Sequence, residues 1–254
     1  MRKILACAAC LFLLLAASGK IACALTFDEF KTKADEFFDD KITPDTMLKL
    51  TDEALAKDAK SDAAYAAYAH AIKANIYWSK NDNKKALPEA RKAVELNPKT
   101  EAGYIVLGEI LRDSGKHEEG AEAIEQAAAN SDDAERKKGL QQFANDMRLE
   151  GSAVTPPALW KAFDENEVAA EDAYKGKVMA VKGKIESITA SATGYPQVNF
   201  TVDRIGVHKV TCEFDKEARA QIGKLKKGQQ VLIAGTCQGM IIKSVFLRKC
   251  RIME

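Results

Sequence analysis

The run Val178-Met179-Ala180-Val181-Lys182-Gly183-Lys184-Ile185-Glu186-Ser187-Ile188 alternates through Val181, Gly183 and Ile185, with basic residues between them. A period of two puts Val181, Gly183 and Ile185 on one face of an extended strand. Working outward, similar runs follow. Pro196 to Val202 carries Val198, Phe200 and Val202; Val207 to Phe214 carries Val210, Cys212 and Phe214. Val231 to Cys237 and Met240 to Ile252 complete the set, with a turn expected at Gln238-Gly239 and a short helix over Ile222 to Leu225. Gly183 and Gly235 fall inside strands, where a side chain would crowd a sharp bend. Upstream, Leu159, Phe163 and Ala170 recur at spacings that let one helical face pack on a sheet.

Five strands with a helical insertion between the third and fourth follow the order of an oligonucleotide/oligosaccharide-binding (OB) barrel. Asn166-Glu167, Ala170, Tyr174-Lys175-Gly176-Lys177, Gly183, Ile185, Val210-x-Cys212-x-Phe214, Leu225-Lys226-Lys227-Gly228-Gln229, Gly235-x-Cys237-x-Gly239 and Cys250-x-Ile252 resemble the tRNA-anticodon-like barrel family of exported bacterial proteins. The resemblance spans nearly all of 159–252. It implies the fold of this segment and leaves its ligand open. Related barrels bind nucleic acid through aromatic platforms interleaved with basic residues. Here Tyr195, with Lys182, Lys184, Arg204 and Lys209, is the candidate set, and Lys224, Lys226 and Lys227 add charge; Phe200 and Phe214 are assigned to the core. An oligosaccharide is the other ligand class for such a basic face.

Three cysteines, Cys212, Cys237 and Cys250, fall in this segment. In an oxidising compartment one disulfide and one leftover thiol is the expectation. The third and fifth strands of the barrel are neighbours, and Cys212 shares parity with Val210 and Phe214 as Cys250 does with Ile252. Cys212–Cys250 is therefore the favoured pair, Cys237 the competitor, and three reduced core thiols the remaining alternative. The spacing contains no Cys-x-x-Cys pair, so no metal site is expected.

From Phe27 to about Leu149 the chain is rich in alanine and helix-periodic. Tyr77-Trp78, a polar turn, Ala86, Ala90, Ala93 and Asn97-Pro98 describe two antiparallel helices, with small residues where they cross. The pattern returns 34 residues later in Leu107-Gly108, Leu111, Gly115, Gly120, Ile124 and Ala127. This resembles the tetratricopeptide repeat (TPR) over 67–134, with Gly120 in place of the crossing alanine. Thr46 to Lys57 reads as an extra helix before the repeats, and Asp132 or Asp133 as the cap of a closing one. The resemblance implies a protein or peptide partner; Lys73, Asn75 and Arg112 occupy first-helix positions that such repeats use to hold acidic termini.

Arg2 and Lys3 precede an apolar run, Ile4 to Ala17, and the small triplet Ala22-Cys23-Ala24. This reads as a cleavable export signal. Lipid modification at Cys23 is disfavoured by Lys20, and no further run of membrane length follows. The expected organisation is a signal (1–24), a helical repeat unit (25–150), a Gly/Ser/Pro linker (151–157) and a barrel unit (158–254). Acidic residues outnumber basic ones 26 to 19 over 25–156, whereas basic lead 16 to 11 over 157–254. Two surfaces of opposite sign attract each other or separate partners. His70, His117 and His208 are scattered without a catalytic motif. The sequence therefore predicts an exported, periplasmic or secreted binding protein, not an enzyme, without cofactor or metal: a short TPR-like α-helical array followed by a five-stranded OB barrel with an N-terminal helix.

Overall fold

Local capping chemistry starts most of the helices. The computed structural model describes residues 25–57, 62–203 and 207–253; the segment 1–24 expected to be an export signal, with Cys23, and Arg204 lie outside them. A capping box of Thr26 and Glu29 opens α1 (Phe27–Phe38), and α2 spans Pro44–Lys57. Asp62, Asp82 and Thr100 then cap α3 (Ala63–Ser79), α4 (Asn83–Leu96) and α5 (Glu101–Asp113). Following α6 (His117–Asn130), Asp133 caps α7 (Ala134–Gly151), one of the two caps expected there.

The 34-residue period is visible in the backbone: Asn81 and Gly115 occupy equivalent turns, with φ of 58° and 77°. Between them, the Trp78 indole donates to Asp113 at 2.6 Å, tying one turn to the next. Ala86, Ala90 and Ala93 are fully buried where α3 and α4 cross. The α5–α6 crossing is closer still, since a Cβ on Gly120 would lie 2.9 Å from the Gly108 carbonyl oxygen. At the N-terminal end, α1 packs Phe27 and Phe30 against Tyr65 and Tyr68 of α3, with Phe27 stacked on Tyr65 and Phe30 edge-on to Tyr68.

Beyond α7 the period changes from helix to strand. The expected amphipathic segment forms two helices, α8 (Pro156–Glu165) and α9 (Glu167–Tyr174), because Asn166 ends the first and its side chain caps the second at Ala169. The strands are β1 (Val178–Lys184), β2 (Ser187–Ala190), β3 (Pro196–Thr201), β4 (Lys209–Phe214), β5 (Gln230–Ile241) and β6 (Ser244–Met253). A 3-10 turn (Lys216–Ala218) and α10 (Arg219–Ile222) connect β4 to β5, a few residues earlier than the sequence suggests. The ladder runs β1-β5-β6-β4-β3-β2, with β4 and β6 parallel and the other pairs antiparallel. The chain is thus a helical TPR-like region followed by an OB-like β domain.

The sheet differs from a closed five-stranded barrel in two respects. First, the opening strand breaks at Ile185–Glu186 into β1 and β2, which end the ladder on opposite sides without pairing to each other. The break follows from buried Ile185 turning inward while its amide donates to the Gln229 carbonyl. Second, Gln238-Gly239 is not a turn but a bulge, with Gly239 at φ 94°. The turn lies at Ile242-Lys243, whose φ values of 44° and 62° give the twist of a two-residue hairpin.

Inside the sheet, Leu159 and Phe163 of α8 share one buried core with Phe200, Phe214, Ile185, Ile222 and Leu247. Each such side chain contributes ~1.5–3 kcal/mol when fully buried. Gly183 is required because a Cβ there would meet the Pro156 ring at 2.8 Å and Phe200 at 3.0 Å.

Three contacts join the helical region to the sheet. Val154 runs parallel to β1: its amide donates to the Ala180 carbonyl at 3.0 Å, and its carbonyl accepts from Lys182 at 2.9 Å. Leu149 and Ala153 cover Ala180, Ala234 and Met253 on the outer face. Arg251 forks onto both carboxylate oxygens of Asp146, one bond measuring 2.9 Å.

Candidate binding surfaces

The repeat cations named from sequence are already paired within the molecule. Lys73 lies 2.9 Å from Asp52 and 3.3 Å from Glu89, and Glu89 also meets His70 Nδ1 at 2.6 Å. Burial pulls the Lys73 ammonium down, but its bonds to Asp52 and Glu89 outweigh this and leave it above its ordinary value. Arg112 donates to Glu150 at 2.7 Å and lies over the Phe143 ring. Burial pushes the neighbouring Glu109 carboxyl up against the pull of Arg112. Asn75 is half-buried on α3. These residues do not converge on one clamp. Moreover, α1 covers Tyr65 and Tyr68 at one end of this face, and Ile252 and Met253 of β6 share a recess with Arg112 and Phe143 at the other.

A different groove is open. Between α4 and α6, over α5, a recess of about 430 Å³ has Tyr104, Leu107, Leu111 and Ala123 as its floor, with Arg91, Glu119, Glu122 and Glu125 at its edges. No described residue of α1 or of the sheet lines it. Lys116 pairs with Glu119, and Arg148 with Glu125, so Glu122 is the rim carboxylate without an ion pair among the described residues. Sequence reasoning looked instead to the first helices; the available signal was Glu119, Glu122 and Glu125 recurring along one side of α6.

On the OB-like sheet, the expected basic face is scattered. Tyr195 lies just before β3, with the Lys216 ammonium 5.0 Å from its ring centre. Lys209 pairs with Thr201 at the opposite end of the β3–β4 ladder, and Lys182 and Lys184 lie on β1, at the far edge of the strand order. Between them the surface of β2, β3 and β4 carries a polar network whose carboxylate, Glu213, is itself paired with Arg248. Asn199 donates to Ser187 and Thr189 and accepts from Thr211 at 2.9 Å, while Gln197 donates to Glu213 at 3.0 Å. These groups satisfy one another, and no aromatic ring interleaves with them. At the end of the sheet formed by the β5–β6 turn, the Trp160 ring lies 4.2 Å from that of His208, tilted by 34°, and donates to the Lys243 carbonyl at 3.0 Å. His208 Nδ1 lies 2.5 Å from Asp203.

Cys212, Cys237 and Cys250 are buried free thiols. Cys212 and Cys250 are hydrogen-bonded neighbours, and that bond, with full burial, pushes the Cys212 thiol well above its ordinary value. Burial likewise raises Cys237. Among the described residues no three His, Cys, Asp or Glu side chains group as metal ligands.

A helical repeat stack continuous with an OB-like sheet, offering grooves and polar ladders, defines a modular binding protein. Residues 104–251 match the tRNA_anti-like family, and the chain belongs to that family. Residues 67–100 match the tetratricopeptide repeat. Similar solved structures include a provisionally named nucleic acid-binding lipoprotein from Klebsiella pneumoniae subsp. pneumoniae, 21% identical, covering 42% of this chain and 97% of that one, with a TM-score of 0.36. MamA protein is 17% identical, covering 56% of this chain and 77% of its own, with a TM-score of 0.33. No curated protein matches the chain.

Proposed function

We propose that this protein is an exported, non-enzymatic scaffold whose helical unit (25–150) holds a segment of a protein partner, with the barrel unit (158–254) a second binding module joined through 151–157. The observation that carries this reading is the open groove on α4–α6. Its apolar floor suits the hydrophobic side of a peptide, and Glu122, the rim carboxylate not engaged by Lys116 or Arg148, suits a basic residue on the other side. A basic, amphipathic segment is therefore the expected occupant rather than an acidic terminus, because Lys73 and Arg112 are already paired with the protein's own carboxylates. Export to the periplasm or medium is supported by the N-terminal basic start, apolar run and small-residue triplet. No helix among the described residues is long and apolar enough to cross a membrane.

The test is site-specific photocrosslinking in the native envelope. A photoreactive residue at Glu122 or Gln126 should yield a discrete protein adduct, and one at exposed Glu135 on α7 should not. Adducts of equal yield at all three positions, or none at Glu122 and Gln126, would sink the proposal.

A further inference from the structure

Beside the contacts that join α7 to the sheet, the two leave a cavity of about 570 Å³. Small-molecule sites occupy roughly this range and favour such junctions between units. Arg148, Lys249 and Arg251 line it with Asn145 and Thr236, over an apolar floor that includes Leu149; no carboxylate is among its described lining residues. Two of the three cations are balanced from behind. The Arg148 fork is held by Glu125 and Glu118, and the Arg251 fork by Asp146. Lys249 has no ion-pair partner among the described residues.

The backbone brings Lys249 there at a cost. β6 carries one extra residue opposite Gly235, with register passing from Thr236↔Arg248 to Ala234↔Arg251. Lys249 takes up the bulge in the left-handed region, at φ 51°. Glycine or asparagine meets that conformation more easily than lysine does. Bulges of this kind re-aim a side chain, and strained residues cluster at ligand sites.

We propose that this cavity binds a small organic phosphate, with the phosphate against Lys249, Asn145 and Thr236 and the organic portion over Leu149. Both arginine forks are occupied, which removes the planar bidentate grip that favours a two-oxygen carboxylate. A phosphate takes the point charge of a lysine together with neutral donors.

Calorimetric titration of the full chain with adenosine 5′-monophosphate, inorganic phosphate and benzoate tests this. Saturable binding of the monophosphate is expected, with inorganic phosphate weaker and benzoate silent. Lys249→Gly should weaken monophosphate binding about tenfold or more, the loss of a charged hydrogen bond. Its thermal midpoint should match or exceed that of the parent, because glycine relaxes the left-handed backbone, so misfolding cannot account for the loss. Asn145→Asp, which adds a carboxylate to the wall, should weaken binding as well. Absence of saturable monophosphate binding, undiminished binding by Lys249→Gly, equal affinity for inorganic phosphate, or preference for benzoate would each overturn the assignment.

Discussion

Replacing Gly120 by alanine sets two opposed effects on one carbon atom. Alanine is favoured over glycine inside a helix by ~1 kcal/mol. The same residue is the usual one at this crossing in the repeats the chain resembles. In α6, however, the new Cβ would lie 2.9 Å from the Gly108 carbonyl oxygen, 3.3 Å from the Arg112 amide nitrogen and 3.4 Å from Met147 sulfur. Two of those atoms are backbone of α5, so relief requires the helices to part. Overpacking of this kind costs ~1–3 kcal/mol. The crossing wins, and a net loss of ~1 kcal/mol is expected.

Gly139→Ala is the matched control. It lies inside α7, exposed, with nothing within 4 Å of the added carbon. There the propensity gain stands alone, and stability should rise by up to ~1 kcal/mol. Urea unfolding followed by far-ultraviolet circular dichroism reads both, with an unchanged slope and midpoints moving in opposite directions. A Gly120→Ala midpoint at or above the parent would refute the close-crossing argument.

Further outcomes follow from the same contacts. For Glu89, burial raises the carboxyl, but the bond to His70 and the charge of Lys73 outweigh it and hold the group below its ordinary 4.5. The unfolded chain therefore takes up this proton first on acidification. The contribution is complete above pH 4.5 and is lost as pH falls through the lowered native value, so Glu89→Gln should flatten that limb of a stability–pH curve. Cys212 and Cys250, buried free thiols in the folded protein, should resist a thiol reagent at mildly alkaline pH and react on unfolding; non-reducing mass mapping that finds either in a disulfide would contradict this. Asp146→Asn should cost about 1 kcal/mol, the upper end for an ion pair that is only partly exposed, and a loss well beyond that in thermal unfolding would mean the junction depends on it more heavily than its exposure implies.

The strand periods were legible because Val198 and Phe200, and Val210, Cys212 and Phe214, recur at every second position and, with Val181, all belong to the core. The caps were legible because Asp133 bonds its own helix. What the sequence hid were events decided by distant contacts. Asn166 sits within an apparently continuous amphipathic stretch, yet its side chain divides α8 from α9. Gln238-Gly239 has turn composition, but β6 pairs on both sides of it and makes it a bulge. The actual turn uses Ile242-Lys243, residues that seldom adopt positive φ, so composition gave no warning. The binding surfaces were less readable than the fold. Lys73 and Arg112 carry the expected chemistry, but residues far along the chain neutralise them. Lys249 looks like one more surface lysine until the bulge opposite Gly235 aims it.

The position of β6 has a kinetic consequence. It lies between β5 and β4, antiparallel to one and parallel to the other. Without it the remaining strands fall into a β1–β5 pair and a β2–β3–β4 meander, with no strand pairing between them. A chain emerging from its N-terminus can order its helices one turn at a time through local contacts, while the sheet must wait for its sixth strand. Cys212 is walled in only when that strand arrives, bringing Cys250 with it. The redox fate of the two thiols is therefore decided during assembly, in the interval before the sheet is complete.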